Sequence, residues 1–120
     1  MKVLLIDEHE TDLFITRTYL KRLAQVNVIE CLSFEEALGW MKNNLVYMPD
    51  LVVSEILVNN EECWAFLSQI PKESTFNTRF YILTTCILPQ IKQKAMQNKM
   101  ITEIYHKPMS HVMAKKMLRM

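Results

Sequence analysis

The segment KVLLIDEHE, Lys2 to Glu10, sets an uninterrupted apolar run, Val3 to Ile6, against an acidic stop at Asp7-Glu8. A run that short, apolar without alternation, reads as a strand buried on both faces with its polar chemistry at the C-terminal end. The pattern recurs along the chain. Pro49-Asp50 punctuates before Leu51-Val52-Val53-Ser54, which ends on Glu55. Phe80 to Leu83 ends on Thr84-Thr85, and Ile101 to Tyr105 is broken by Lys107-Pro108. Val26 to Cys31, apolar at Val26, Val28 and Cys31, completes five strands.

Helical patterns fill the intervals. Thr11 or Asp12 can cap a helix that places Leu13, Leu20 and Leu23 on one side and ends near Ala24. Ser33 and Glu36 form a capping-box signature ahead of Ala37, Leu38, Trp40 and Met41. A third helix spans about Glu61 to Ile70 and is closed by Pro71. Pro89 suits the first turn of a fourth, through about Asn98, and Ser110 caps the last. Strands alternating with helices imply an α/β fold: a three-layer, doubly wound, five-stranded parallel sheet with right-handed crossovers.

In such a sheet the chemistry sits outside the carboxyl ends of the strands. Asp7, Glu8, Glu55, Thr84, Thr85 and Lys107 therefore collect at one end. Acidic oxygens suit a hard cation such as Mg²⁺. The lysine and a hydroxyl suit a phosphoryl group, and a carboxylate between them suits an acyl-phosphate acceptor.

Composition narrows the alternatives. The 120 residues suit a single domain, and 50% apolar with 22% charged residues can bury a core without staples. A formal charge of +1 offers no broad field for nucleic acid or an anionic membrane. No apolar stretch reaches the roughly 18 residues of a membrane span, and the N-terminus runs into a strand rather than a signal peptide. Three cysteines, Cys31, Cys63 and Cys86, without a CxxC pair read as free thiols of a cytoplasmic protein. A single glycine excludes a glycine-rich phosphate loop and argues against a flavin.

Five segments together resemble the receiver domain of two-component response regulators. KVLLIDEHE is similar to the family's first strand with its acidic pair, here Asp7 and Glu8; PDLVVSEI, Pro49 to Ile56, to its third strand with the phosphoacceptor. YILTT, Tyr81 to Thr85, is similar to the fourth strand with its hydroxyl, and YHKP, Tyr105 to Pro108, carries the lysine and the proline that follows it through a cis peptide in that family. SFEEAL, Ser33 to Leu38, and CWAFL, Cys63 to Leu67, add weaker support. The resemblance spans essentially the whole chain. It implies strand order 2-1-3-4-5, a signalling domain rather than an enzyme, and signalling-protein partners: a histidine kinase, a phosphotransfer protein or an output protein. It also implies Mg²⁺ at Asp7 and Glu8, with Lys107 and Thr84 or Thr85 as phosphoryl contacts; the place of Thr84 directly after the apolar run favours it.

The departures carry as much weight. Glu55 stands where the family has its phosphoacceptor aspartate. One added methylene moves the carboxylate by roughly a bond length, beyond the few tenths of an ångström a reacting constellation tolerates. Phosphoryl transfer should be impaired, while Glu55 supplies a standing charge partway toward an aspartyl phosphate, with Lys107 as its ion-pair partner. Val58-Asn59 replaces the family's Met-Pro, Cys63 its glycine, and Ile104 its switch aromatic; the glycine before the fifth strand is missing near Met100. These features imply an atypical receiver that acts by protein–protein interaction; the alternative is a Mg²⁺-dependent phosphoacceptor served by a kinase or small phosphodonor.

His9, His106 and His111 lack partners at zinc spacing and read as exposed. Asp50 lies about 16 Å from the chemical end, at the start of its strand. Met113, Met117 and Met120, with Met96, Met100 and Met109 nearby, read first as core; the alternative is a homodimer face on the last helix rimmed by Lys115, Lys116 and Arg119.

Overall fold

The computed structural model describes residues 1–56, 61–70 and 77–120. The expectations for Val58-Asn59 and Pro71 lie outside them. The strands are β1 (Lys2–Ile6), β2 (Asn27–Cys31), β3 (Leu51–Ser54), β4 (Arg79–Thr84) and β5 (Ile101–His106). The helices are α1 (Glu10–Leu23), α2 (Phe34–Lys42), α3 (Glu62–Gln69), α4 (Pro89–Gln97) and α5 (His111–Leu118). All pairings are parallel in the order β2-β1-β3-β4-β5, the doubly wound three-layer arrangement expected from the sequence.

Strand alternation divides the core into two layers. Val3 and Leu5 of β1, Leu51 and Val53 of β3, and Tyr81 and Leu83 of β4 pack with Leu13 and Leu20 of α1 and with Ala114 and Met117 of α5. Leu4 and Ile6, Val52, and Phe80 and Ile82 face the other way, onto Ala37 and Met41 of α2, Phe66 and Leu67 of α3, and Ala95 of α4. The three central strands are thus buried on both faces, which is why they read as continuous apolar runs. Met109 and Met117 are buried and Met113 packs against the core, whereas Met120 is exposed.

Two caps match their sequence signatures. Ser33 Oγ accepts from Glu36 N–H at 3.0 Å, and Ser110 Oγ from Met113 N–H at 3.1 Å. One cap differs: α1 begins at Glu10 with His9 as its N-cap, not after Thr11 or Asp12. The reason is Asp7, whose Oδ1 accepts the His9 N–H at 2.9 Å and turns the chain into the helix two residues early. Asp12 is thereby free for another task. Leu45–Tyr47 forms a 3₁₀ turn, and no helix among the described residues is long and apolar enough to cross a membrane.

Candidate functional site

Three backbone bonds fix the strand ends that carry the site. Asp7 N–H donates to the Cys31 carbonyl at 3.1 Å, Glu55 N–H to Ile6 at 3.0 Å, and Lys107 N–H to Thr84 at 2.9 Å. Each extends a ladder by one bond beyond the last paired residues and so holds a site residue on a rigid sheet end. Asp7 follows Leu5 by two residues, and Glu55 follows Val53 by two. Both therefore belong to the face that packs on α1 and α5. Asp12, in the first turn of α1, lies over the same face.

Lys107 joins these carboxylates. Its Nζ lies 2.7 Å from Asp7 Oδ2, 2.9 Å from Asp12 Oδ2 and 3.0 Å from Glu55 Oε1. The Lys107 side chain is 6% exposed, with Glu55 at 8%, Asp7 at 10% and Asp12 at 32%, so three of the four charges are close to fully desolvated. An ammonium has three N–H donors. Here each has a carboxylate acceptor. The Lys107–Pro108 peptide is cis, as the resemblance implied.

The remaining oxygens of Asp7 and Glu55 turn the opposite way, toward His9. Its Nδ1 lies 3.2 Å from Asp7 Oδ1 and 3.6 Å from Glu55 Oε2, while its side chain is 55% exposed. His9 is exposed, as its sequence suggested, and yet belongs to the site. His106 and His111 are exposed too. Glu8 is half-exposed, and its carboxylate faces the far ring nitrogen of His9 at 3.8 Å.

The protonation behaviour follows from this geometry. Burial would raise the Asp7 carboxyl, but hydrogen bonds with Glu55, Lys107 and the His9 N–H outweigh it and hold Asp7 below the usual range. Burial together with the hydrogen bond to Asp7 pushes Glu55 up, against the pull of Lys107. Asp7 and Glu55 titrate as a pair, and the first proton goes to Glu55. Burial alone would lower Lys107; its hydrogen bonds to Asp7, Asp12 and Glu55 overcome that and raise it. His9 is raised by its bond to Asp7 and the charge of Glu55.

Thr84 has a different role from the one its sequence position suggests. It is fully buried, on the alternation of Phe80 and Ile82, and its hydroxyl donates to the Ile56 carbonyl at 2.7 Å while accepting Cys86 N–H at 3.1 Å. That ties the turn after β3 to the turn after β4. Thr85, one residue on, belongs by alternation to the face of Asp7 and Glu55 and is exposed. Thr84→Val is expected to cost about 1–3 kcal/mol in urea unfolding, because it strands a buried carbonyl and an amide; Thr84→Ser should retain most of the stability. A neutral Thr84→Val would show that neither bond matters.

Asp50 sits at the opposite end, where its carboxylate accepts Lys2 N–H at 2.8 Å. Ile104, in the switch-aromatic position, is buried in the layer of α2, α3 and α4. Asp7, Glu8 and Glu55 line a cavity of about 80 Å³ with Ile6, Leu32 and Phe34 among its walls. That volume admits a few waters, an ion or one phosphoryl group, and is far below the roughly 300–1,000 Å³ of organic-ligand pockets.

No protein-family model matches the sequence, and no curated protein sequence does. Solved structures do match in fold. A two-component response regulator from Cytophaga hutchinsonii superposes with a TM-score of 0.88 at 16% identity, covering 98% of this chain and 93% of that one. A signal receiver domain of two-component signal transduction (histidine kinase) from Clostridium thermocellum gives 0.83 at 22% identity, covering 99% and 98%. The chemotaxis protein CheY4 of Vibrio cholerae gives 0.79 at 21%, covering 98% and 95%. With five parallel strands in the order 2-1-3-4-5 and five helices, this chain has the fold of response-regulator receiver domains.

Proposed function

We propose that this chain is a receiver-type module of two-component signalling that works by binding other signalling proteins, such as a histidine kinase, a phosphotransfer protein or an output protein, without passing through a phosphorylated state. One observation carries the reading: the three N–H donors of Lys107 are committed to Asp7, Asp12 and Glu55. An incoming phosphoryl group would have to displace one of these carboxylates. Asp7 or Glu55, if displaced, would stay buried and unpaired at a cost of several kcal/mol, whereas Asp12, the most exposed of the three, could turn toward water. Glu55 instead reaches the lysine itself and supplies the anionic contact permanently. The buried Thr84 hydroxyl is also committed elsewhere, which leaves Thr85 as the hydroxyl nearer the site face.

Mg²⁺, which the resemblance implies at Asp7 and Glu8, fits these residues poorly. It takes oxygen ligands in near-ideal octahedral geometry. Asp7 and Glu55 each give one oxygen to Lys107, Glu8 is directed at the far side of His9, and an imidazole nitrogen faces the two oxygens that remain.

Amide NMR tests the reading. Acetyl phosphate added with Mg²⁺ is expected to leave the spectrum as it is with Mg²⁺ alone. Glu55→Gln, which removes the standing charge, is expected to move amides around Asp7, Asp12 and Lys107. A spectrum altered by acetyl phosphate, or one indifferent to Glu55→Gln, would count against it.

The same variant carries a pH signature. Because the folded protein holds Glu55 above its ordinary value of 4.5, protonation of Glu55 favours folding. That contribution is complete below the ordinary value and is lost as pH rises through the raised one. Native stability, relative to Glu55→Gln, should therefore fall as pH rises from about 4.5 toward neutrality. An identical pH profile for the two proteins would mean that Glu55 is not perturbed.

A further inference from the structure

We propose that the groove between α2 and α3 is a docking surface for an amphipathic helix of a partner protein, one with apolar side chains along one face and arginine or lysine at one end. The two helices lie side by side, and both begin at the carboxyl ends of the strands they follow. Between them runs a groove of about 370 Å³, with Phe34, Leu38, Ala65 and Phe66 along it and the exposed Glu35 and Glu62 at its edge. Phe34 and Glu62 also line the small cavity beside Asp7 and Glu55, so the groove runs into the site.

Charge complementarity sets the occupant. Glu35 and Glu36 stand in the first turn of α2 and Glu62 in that of α3, so carboxylates gather at the end of the groove next to the strand ends. The helix dipole accounts for acids in a first turn. It does not account for the lack of any lysine or arginine along the groove to balance them; Lys42, in the last turn of α2, stands toward the other end. An apolar floor with one acidic end fits a helix whose apolar anchors, spaced i and i+4, fill the floor while its cations meet the glutamates.

The chain's one glycine points the same way. Gly39 is exposed in the interior of α2, one turn beyond Glu35 and next to Leu38. A Cβ there would meet nothing within 4 Å, and the backbone is not in the left-handed region. Nothing among the described residues calls for a glycine, which weakens a helix relative to alanine. A bare backbone does suit the close approach of a second helix. The inference rests on the reading of the chain as a protein-binding module and holds whether or not Glu55 accepts a phosphoryl group.

The probe is an alanine-based peptide of about 18 residues, long enough to be helical in water, with leucines four apart and two arginines at one end; its twin has glutamates for the arginines. Added to the nitrogen-15-labelled native chain, the arginine peptide is expected to shift the amides of Phe34, Leu38, Ala65 and Phe66 saturably, and more weakly as salt rises. The glutamate twin should leave them in place. Glu35→Lys should weaken binding about 3–10-fold. Gly39→Gln should raise the melting temperature, because it removes a glycine from a helix, yet weaken binding on the order of tenfold. A purely structural role would not produce that opposition. Four results would overturn the proposal: groove amides that do not respond, twins that bind alike, Gly39→Gln binding as the native chain does, or groove amides that shift on dilution of the free chain, which would seat a second copy there. Peptide shifts confined to another face would refute the groove and leave the protein-binding module standing.

Discussion

Lys107→Met is expected to destabilise the protein by about 3–5 kcal/mol at neutral pH, because removing one partner of a buried ion cluster leaves the others charged and desolvated. The cost falls on Asp7 and Glu55, whose side chains are 10% and 8% exposed; Asp12, at 32%, can turn toward water. Methionine fills nearly the same space, so the loss isolates the charge rather than a cavity. The deficit should shrink on acidification. Without the ammonium, Asp7 and Glu55 take up protons at higher pH than in the native protein, and the neutral pair no longer needs a counter-charge. Urea unfolding at several pH values measures both parts. A loss under about 1 kcal/mol, of the size seen for solvent-exposed pairs, would mean that water reaches the cluster and that Lys107 is not its organising group.

Phe66→Ala is expected to cost a similar amount, about 3–5 kcal/mol, by a different mechanism. Phe66 is 2% exposed, in the layer between the sheet and helices α2, α3 and α4, and its ring lies 5.2 Å from that of Phe34. Deleting it opens a void on the side of the sheet away from Lys107. Phe66→Leu, which refills most of the volume, should recover most of the stability. Because the two sites lie on opposite faces of the sheet, the losses in a Phe66→Ala/Lys107→Met double variant should add to within a few tenths of a kcal/mol. Denaturant unfolding of the set checks this. A Phe66→Ala variant as stable as the native chain would mean that the α2–α3 layer repacks freely.

The strands could be read from the sequence because burial on both faces writes itself as unbroken apolar runs, Val3 to Ile6 and Leu51 to Val53 most plainly. Their polar ends then named Asp7, Glu55 and Lys107. Asp12 was harder to see. It stands in a helix, where an acid in the first turn is explained well enough by the helix dipole. Only the three-dimensional course of the chain places it over β3 and β5. The early start of α1 has the same source, since it follows from the turn that Asp7 makes by accepting the His9 N–H, with His9 and not Thr11 or Asp12 as the N-cap. His9 has no cysteine or histidine at zinc spacing; the carboxylates it faces are Asp7, two residues before it, and Glu55, forty-six residues on, which only the fold brings near. Thr84 and Thr85 are distinguished by strand alternation. Counting the alternation from Tyr81 and Leu83 assigns Thr85, not Thr84, to the site face.

Intact mass after incubation with acetyl phosphate and Mg²⁺, with Glu55→Asp run alongside, tests most directly the proposal that the protein works without being phosphorylated. The native chain is expected to keep its mass, since Glu55 already engages Lys107 at 3.0 Å. The shorter side chain of Glu55→Asp withdraws from the lysine, so any gain of one phosphoryl mass should appear in that variant alone. A native chain that gains one phosphoryl mass would contradict the account.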